Sequence, residues 1–124
     1  MIKKYAKGYR AERSLLHELS KMGYMVMRAP HSGSANLALP DIIAVKDGKI
    51  LAIECKAREE AFKIENEQLA QLKQWQDVGG ATPYIAWKIS RKGWKFIHLE
   101  HVMNNNGNVG KKFAEKSGIE ISKI

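Results

Sequence analysis

Apolar residues recur with two different periods along the chain. Between residues 4 and 22 they return every three or four positions, with Leu15, Leu16, Leu19 and Met22 on one stripe. That spacing predicts a helix, with Gly23 as the stop just beyond it. From residue 24 to 28 the pattern shortens to alternation, which predicts a brief first strand. Two apolar runs, Ile42-Ile43-Ala44-Val45-Lys46 and Lys49-Ile50-Leu51-Ala52-Ile53, then flank Asp47-Gly48. This dipeptide favours a two-residue type I′ turn, so the segment reads as an antiparallel hairpin. Residues 57–64 form a charged connector, and a second helix is expected over residues 65–78, with Leu69, Leu72 and either Trp75 or Gln76 inward and Gly79-Gly80 ending it. Residues 82–89 and 94–99 read as two further strands, with Pro83 suited to a strand start or an edge. Trp87 and Trp94 lie in their apolar alternation and suit core or dimer contacts better than base stacking.

A strand, helix and strand in succession between residues 50 and 89 form a crossover, which requires a parallel pair. The expected fold class is therefore α/β: a single domain, residues 1–124, with a central mixed five-stranded sheet flanked by helices. Its core spans about residues 5–100, and a C-terminal extension of about residues 104–124 carries a loop at Asn104-Asn105-Asn106-Gly107 and a short basic helix.

The tight turn also sets a register. With Lys46 opposite Lys49, counting outward places Ile43 opposite Ala52, Ile42 opposite Ile53 and Asp41 opposite Glu54. Two carboxylates then share one face with Cβ atoms roughly 5 Å apart. Lys56 projects from that face as well, whereas Cys55 points to the other side with Leu51 and Ile53, as a core residue rather than a reactive thiol. Two unit charges at this separation repel by about 3 kcal/mol at an effective dielectric of 20. Ordinary cross-strand pairing returns only about 0.2–1 kcal/mol. A cation removes the conflict; Lys56 supplies one, and paired hard oxygens suit Mg²⁺. Spacing alone leaves open the simpler reading of a solvated acidic pair at the hairpin's open end.

Glu12 precedes Leu15, Leu16 and Leu19 by three, four and seven residues, so it stands on the packed face of the first helix or at its edge. An unpaired carboxylate is rare there; the alternative is an exposed acid paired with Arg13 or Lys7. Lys3, Lys4, Lys7, Arg10 and Arg13 crowd the early turns of this helix. Positive charge there opposes the helix dipole, so phosphate contact explains it better than stability does.

Composition narrows the partner. The 124 residues include 21 Lys and Arg against 13 Asp and Glu, a net charge of +8 that points to a polyanion, nucleic acid foremost. Neither a bilayer-spanning apolar run nor a basic amphipathic helix with an aromatic face is visible, so no membrane partner is expected. No secretory signal is visible either, and a single cysteine excludes an intrachain disulfide; both fit the cytoplasm. The four histidines lack zinc-site spacing.

Pro40-Asp41 followed by Glu54-Cys55-Lys56 resembles the signature of the PD-(D/E)xK nuclease superfamily. Together with Lys7-Gly8-Tyr9-Arg10-Ala11-Glu12-Arg13, Arg28-Ala29-Pro30-His31-Ser32-Gly33-Ser34 and Gly93-Trp94-Lys95-Phe96-Ile97, the chain from about residue 7 to 99 is similar to the archaeal Holliday-junction resolvases. The resemblance implies an endodeoxyribonuclease that resolves four-way junctions by paired symmetric nicks. It implies catalytic roles for Glu12, Ser32, Asp41, Glu54 and Lys56. Mg²⁺, with Mn²⁺ as a substitute, would be held by Asp41, Glu54, the Cys55 carbonyl and Glu12. Lys4, Lys7, Arg10, Arg13 and Arg28 would contact phosphates, and the junction's two-fold symmetry implies a homodimer. Two alternatives are a related nuclease acting on duplex or flap DNA and a non-catalytic basic DNA-binding module. The second gains nothing from acids that face phosphate.

Overall fold

The hairpin is the organising element of the molecule. In a computed structural model that describes residues 2–30, 37 and 39–124, with side chains from Lys7 onward, β2 (Ile42–Lys46) and β3 (Lys49–Ala57) pair in the register expected of a two-residue turn. Asp47 and Gly48 both take positive φ, 51° and 78°. A type I′ turn requires this of both central residues. Helix α1 (Ile2–Lys21) precedes β1 (Met25–Arg28), which pairs antiparallel with β2. After β3 come the two-residue β4 (Phe62–Lys63), α2 (Asn66–Asp77), β5 (Thr82–Lys88) and β6 (Trp94–His98). The chain continues through α3 (Leu99–Asn104), β7 (Asn108–Val109), α4 (Lys111–Ser117), β8 (Gly118–Ile119) and a 3-10 turn at Ile121–Lys123.

The main sheet runs β1-β2-β3-β5-β6-β8. β3 and β5 are parallel across the α2 crossover, and the other neighbours are antiparallel. The mixed sheet is as expected but has six strands rather than five. The sixth, β8, is two residues long, too short for any periodic signal, and it pairs Gly118 and Ile119 with Ile97 and Phe96. The C-terminal residues are thus part of the sheet. Pro83 is the second residue of β5, before the pairing with β6 starts at Tyr84, which is where a missing N–H is tolerated.

Two cores sandwich the sheet. On one face Leu15 and Leu19 of α1 pack on Ile42, Ala44, Leu51 and Ile53, joined by Ile119, Ile121 and Ile124. On the other, Leu69 and Leu72 of α2 meet Ile85, Trp87 and Ile97 along with Leu99 and Val102 of α3. Trp87 and Trp94 are both core residues, 1% and 5% exposed. The second layer of helices does not reach β1 and β2. There Met25, Met27 and Val45 are exposed, at 78%, 67% and 36%.

Two local readings change. The connector at residues 57–64 contains β4, which pairs with β7, and Ile64 N–H donates to the Gly107 carbonyl at 2.8 Å. Gly107 has φ +84°, and a Cβ there would collide with the Ile64 carbonyl oxygen, so this loop requires glycine. The fifth expected strand ends at His98, not residue 99; Leu99 and Val102 are both fully buried, three residues apart on one helical face.

Candidate active site

Strand β2 stops one residue short of the expected acidic pair. Its ladder with β3 ends at Ile42 and Ile53, and Asp41 bends out of the strand. The Asp41 carbonyl accepts from Ala29 N–H at 2.9 Å, and its carboxylate Oδ2 accepts from the Cys55 N–H at 2.8 Å. A side chain therefore takes the place of a strand carbonyl at the point where β3 runs on without β2. This corrects the expected cross-strand pair: Asp41 is tied to the backbone of the residue after Glu54. The carboxyl groups nevertheless meet, and a hydrogen bond joins them.

Glu54 is 7% exposed, and its Oε2 accepts from Gln68 Nε2 of α2 at 2.6 Å. Burial, and then the charge of Asp41, push the Glu54 carboxyl up to about 8, while Lys56 and the Gln68 bond pull the other way. At neutral pH a proton therefore sits where the two acids would repel. A divalent ion would meet the same electrostatic demand, and the donor chemistry fits one: two hard carboxylates, each held in place by an amide or carboxamide. Among the described residues no three His, Cys, Asp or Glu side chains converge as a ready metal cluster. Asp41 and Glu54 are the two carboxylates that this arrangement would offer a divalent ion.

The remaining expected site residues divide. Glu12 is 8% exposed on α1, and its Oε1 accepts from Arg28 Nε at 2.9 Å. The Arg28 guanidinium also lies 4.3 Å over the Tyr9 ring. Arg28 thus forms a largely buried ion pair with Glu12. Glu12 is expected as a third metal ligand, and here Arg28 engages its Oε1. It is still close to the site: burial raises the Cys55 thiol's pKa first, and Asp41, Glu12 and Glu54 raise it further against Lys56. Four expected site residues thus surround the Cys55 side chain, which packs on the core as a structural residue. Arg10 and Arg13 are exposed on α1, and Lys7 is half-buried and bonded to Glu59 at 3.0 Å. Ser32, His31 and the Lys4 side chain lie outside the described residues.

Gln68 and two basic residues were missed. Gln68 stands next to Leu69 on a crossover helix, and only the tertiary fold turns it toward Glu54. Lys88 lies opposite Ala57 in the β3–β5 register, so counting past Lys56 along the parallel pair would have found it. With Lys7, Arg10 and Arg91 it lines a cleft of about 400 Å³ between α1 and the β5–β6 turn. Gln68→Leu is expected to lower cleavage by about 10- to 100-fold and to raise the metal concentration needed for half-maximal rate, the usual cost of losing a partner behind a metal ligand. Metal titrations of the cleavage rate check this.

The comparisons with known proteins agree along nearly the whole chain. The family model for archaeal Holliday junction resolvase (Hjc) matches residues 3–124. The crossover junction endodeoxyribonuclease Hjc of Archaeoglobus fulgidus is 36% identical over 123 residues, covering 96% of this chain and 89% of the relative. That of Sulfolobus acidocaldarius is 34% identical over 123 residues, with 95% and 85% covered. The solved structure of Archaeoglobus fulgidus Hjc, a Holliday junction resolvase, superposes with a TM-score of 0.84 at 31% identity, covering 94% of this chain and 98% of that one. With its mixed sheet, its facing carboxyls and the lysine beside them, the chain belongs to the archaeal Holliday junction resolvase (Hjc) family.

Proposed function

We propose that this protein resolves four-way DNA junctions by paired, symmetric, Mg²⁺-dependent phosphodiester hydrolysis, with Asp41, Glu54 and Lys56 at the centre of the chemistry. The observation that carries the reading is the buried Glu54 carboxyl set against the half-buried Asp41 carboxyl in a chain of net charge +8. Burying a carboxyl beside another is costly, and a protein that merely held DNA would gain nothing from it. Family membership implies a divalent ion, and Mg²⁺ suits two carboxylates plus phosphate oxygens. Bound there, the ion would polarise the scissile phosphate and favour a deprotonated water.

The chain's own residues do the rest. The Cys55 amide orients Asp41, and Gln68 orients Glu54. Lys56 follows Glu54 by two residues on the same strand face and donates to phosphate oxygens as negative charge builds on them. The Arg28–Glu12 pair braces α1 against β1. Arg10 and Arg13 contact neighbouring phosphates, so affinity falls as salt rises. Ser32 and Lys4 keep the roles that the family resemblance implies for them. Residues 1–124 act as one nuclease domain, supported by β8 completing the sheet. A DNA substrate and one free thiol are consistent with the cytoplasm.

Two opposed nicks on a two-fold substrate need two sites, hence a homodimer. The exposed apolar face of β1 and β2, with Met25, Met27 and Val45, supports a second copy as its occupant. Met27→Glu is expected to convert the dimer to monomer in light scattering and to uncouple the two nicks.

Synthetic junctions, duplexes and flaps, each with Mg²⁺ and with chelator, test the function. The expected result is symmetric cutting of junctions, little action on linear duplex and none under chelation. Equal cutting of duplex would replace the resolvase reading with a broader nuclease.

A further inference from the structure

One carboxylate beside the basic cleft, in an adjoining cavity that shares Lys7 and Ala57 with it, is held as an anionic ligand would be. Glu59, in the loop after β3, accepts at Oε2 from Lys7 Nζ at 3.0 Å and from the Ser90 backbone N–H at 2.9 Å, and the Ser90 side chain bonds it as well. The donors come from different elements, α1 and the β5–β6 turn. Arg10, Lys88 and Arg91 line the same cleft. A lysine ammonium, a fixed backbone N–H and flanking guanidinium groups are the donors that proteins use for phosphate oxygens.

Glu59 is exposed, and the Ser90 bonds, followed by Lys7, hold its carboxyl down to about 2, so it stays ionised at any working pH. The backbone holds the loop in place independently, since Arg58 N–H donates to the Lys88 carbonyl at 3.1 Å. Ala57, the residue after Lys56, lines the same cleft, which therefore adjoins the site.

We propose that Lys7 Nζ and the Ser90 N–H form a phosphate seat that Glu59 occupies in the free protein and yields to a DNA backbone phosphate when substrate binds. The proposal rests on the nuclease reading above and adds to it an internal competitor. Glu59 leaves the seat as a solvated carboxylate, and no covalent bond changes. The competitor filters substrates: a phosphate delivered in register with the neighbouring cut site displaces it, while loosely held DNA must compete with a tethered anion. Glu60 serves as a control, since it is exposed in the same loop and no hydrogen bond holds it among the described residues.

The test is a double-mutant cycle on junction affinity, measured with chelator so that no cutting occurs. Surface ion pairs are weak, so Glu59→Gln is expected to bind a four-way junction only about two- to five-fold more tightly than the parent protein. Glu60→Gln, which removes the same charge, is expected to gain less. In a Lys7→Met background, Glu59→Gln is expected to gain nothing beyond the Glu60→Gln effect, because the seat is gone. Equal gains from the two glutamine variants, or a Glu59→Gln gain that survives Lys7→Met, would overturn the seat while leaving the resolvase reading intact. If the parent protein failed to bind junctions at all, the resolvase reading itself would fall.

Discussion

Glu54→Gln is expected to make the metal-free protein more heat-stable at pH 8 and at the same time nearly inert as a nuclease. The carboxyl titrates near 4.5 in an unfolded chain and near 8 in the folded one, chiefly through burial and then through Asp41. The folded state thus keeps a proton that the unfolded state gives up. Stability from this source is complete below about pH 4.5, declines as pH rises toward 8, and is gone above that. Each tenfold difference in proton affinity between the two states corresponds to about 1.4 kcal/mol, so the loss is on the order of a few kcal/mol. Glutamine has nearly the same shape and cannot ionise. Its oxygen can still accept from Gln68, and its NH₂ can donate to Asp41. A rise of roughly 5–10 °C in melting temperature at pH 8 follows, with little change at pH 5. Mg²⁺ is expected to stabilise the parent protein at pH 8 and to do much less for the variant. Thermal melts at both pH values, with and without Mg²⁺, check all three. A parent protein that melts at the same temperature across this range would refute the account of the pair. Cleavage is expected to fall about 10³-fold or more, because a divalent ion at such a site supplies several kcal/mol of transition-state stabilisation.

Lys56→Ala is expected to show the reverse separation, with chemistry lost and binding kept. The amine is one charge among 21 Lys and Arg, so junction affinity should change little. In the proposed mechanism, however, it acts at the scissile phosphate on charge that develops only in the transition state, and removing such a donor costs about 10²–10³ in turnover. The loss should appear in kcat with KM nearly unchanged. Lys56 also pulls the Glu54 carboxyl downward, so its removal should move the rising limb of the pH–rate profile to higher pH. Single-turnover cleavage across pH, with affinity measured under chelation, separates the two effects. A variant that cuts at the parental rate would remove Lys56 from the chemistry.

Much of this was legible in the residues alone, for local reasons. Asp47-Gly48 admits very few turns, so the hairpin register followed from two residues and carried Glu54 and Lys56 to one face. The stripe of Leu15 and Leu19 likewise placed Glu12 at a buried position. What escaped was long-range. Nothing near Asp41 indicates that its side chain, not its backbone, continues the ladder. The Arg28–Glu12 pair joins residues 16 apart, from a helix to a strand. Gln68 reaches Glu54 only because a crossover lays α2 over β3, and β8 is too short for any period to register.

The bond from the Cys55 amide to Asp41 has a consequence for how such a protein could lose its activity. Alanine at position 41 strands a backbone donor at a sheet corner, at a cost of about 1–3 kcal/mol, so the acid proposed to hold the metal is also a structural fastener. Glu54 carries the opposite liability, since the fold is more comfortable without its charge. A lineage drifting from cutter to silent junction holder would therefore shed the glutamate early and keep the aspartate long after its chemistry had ceased to matter.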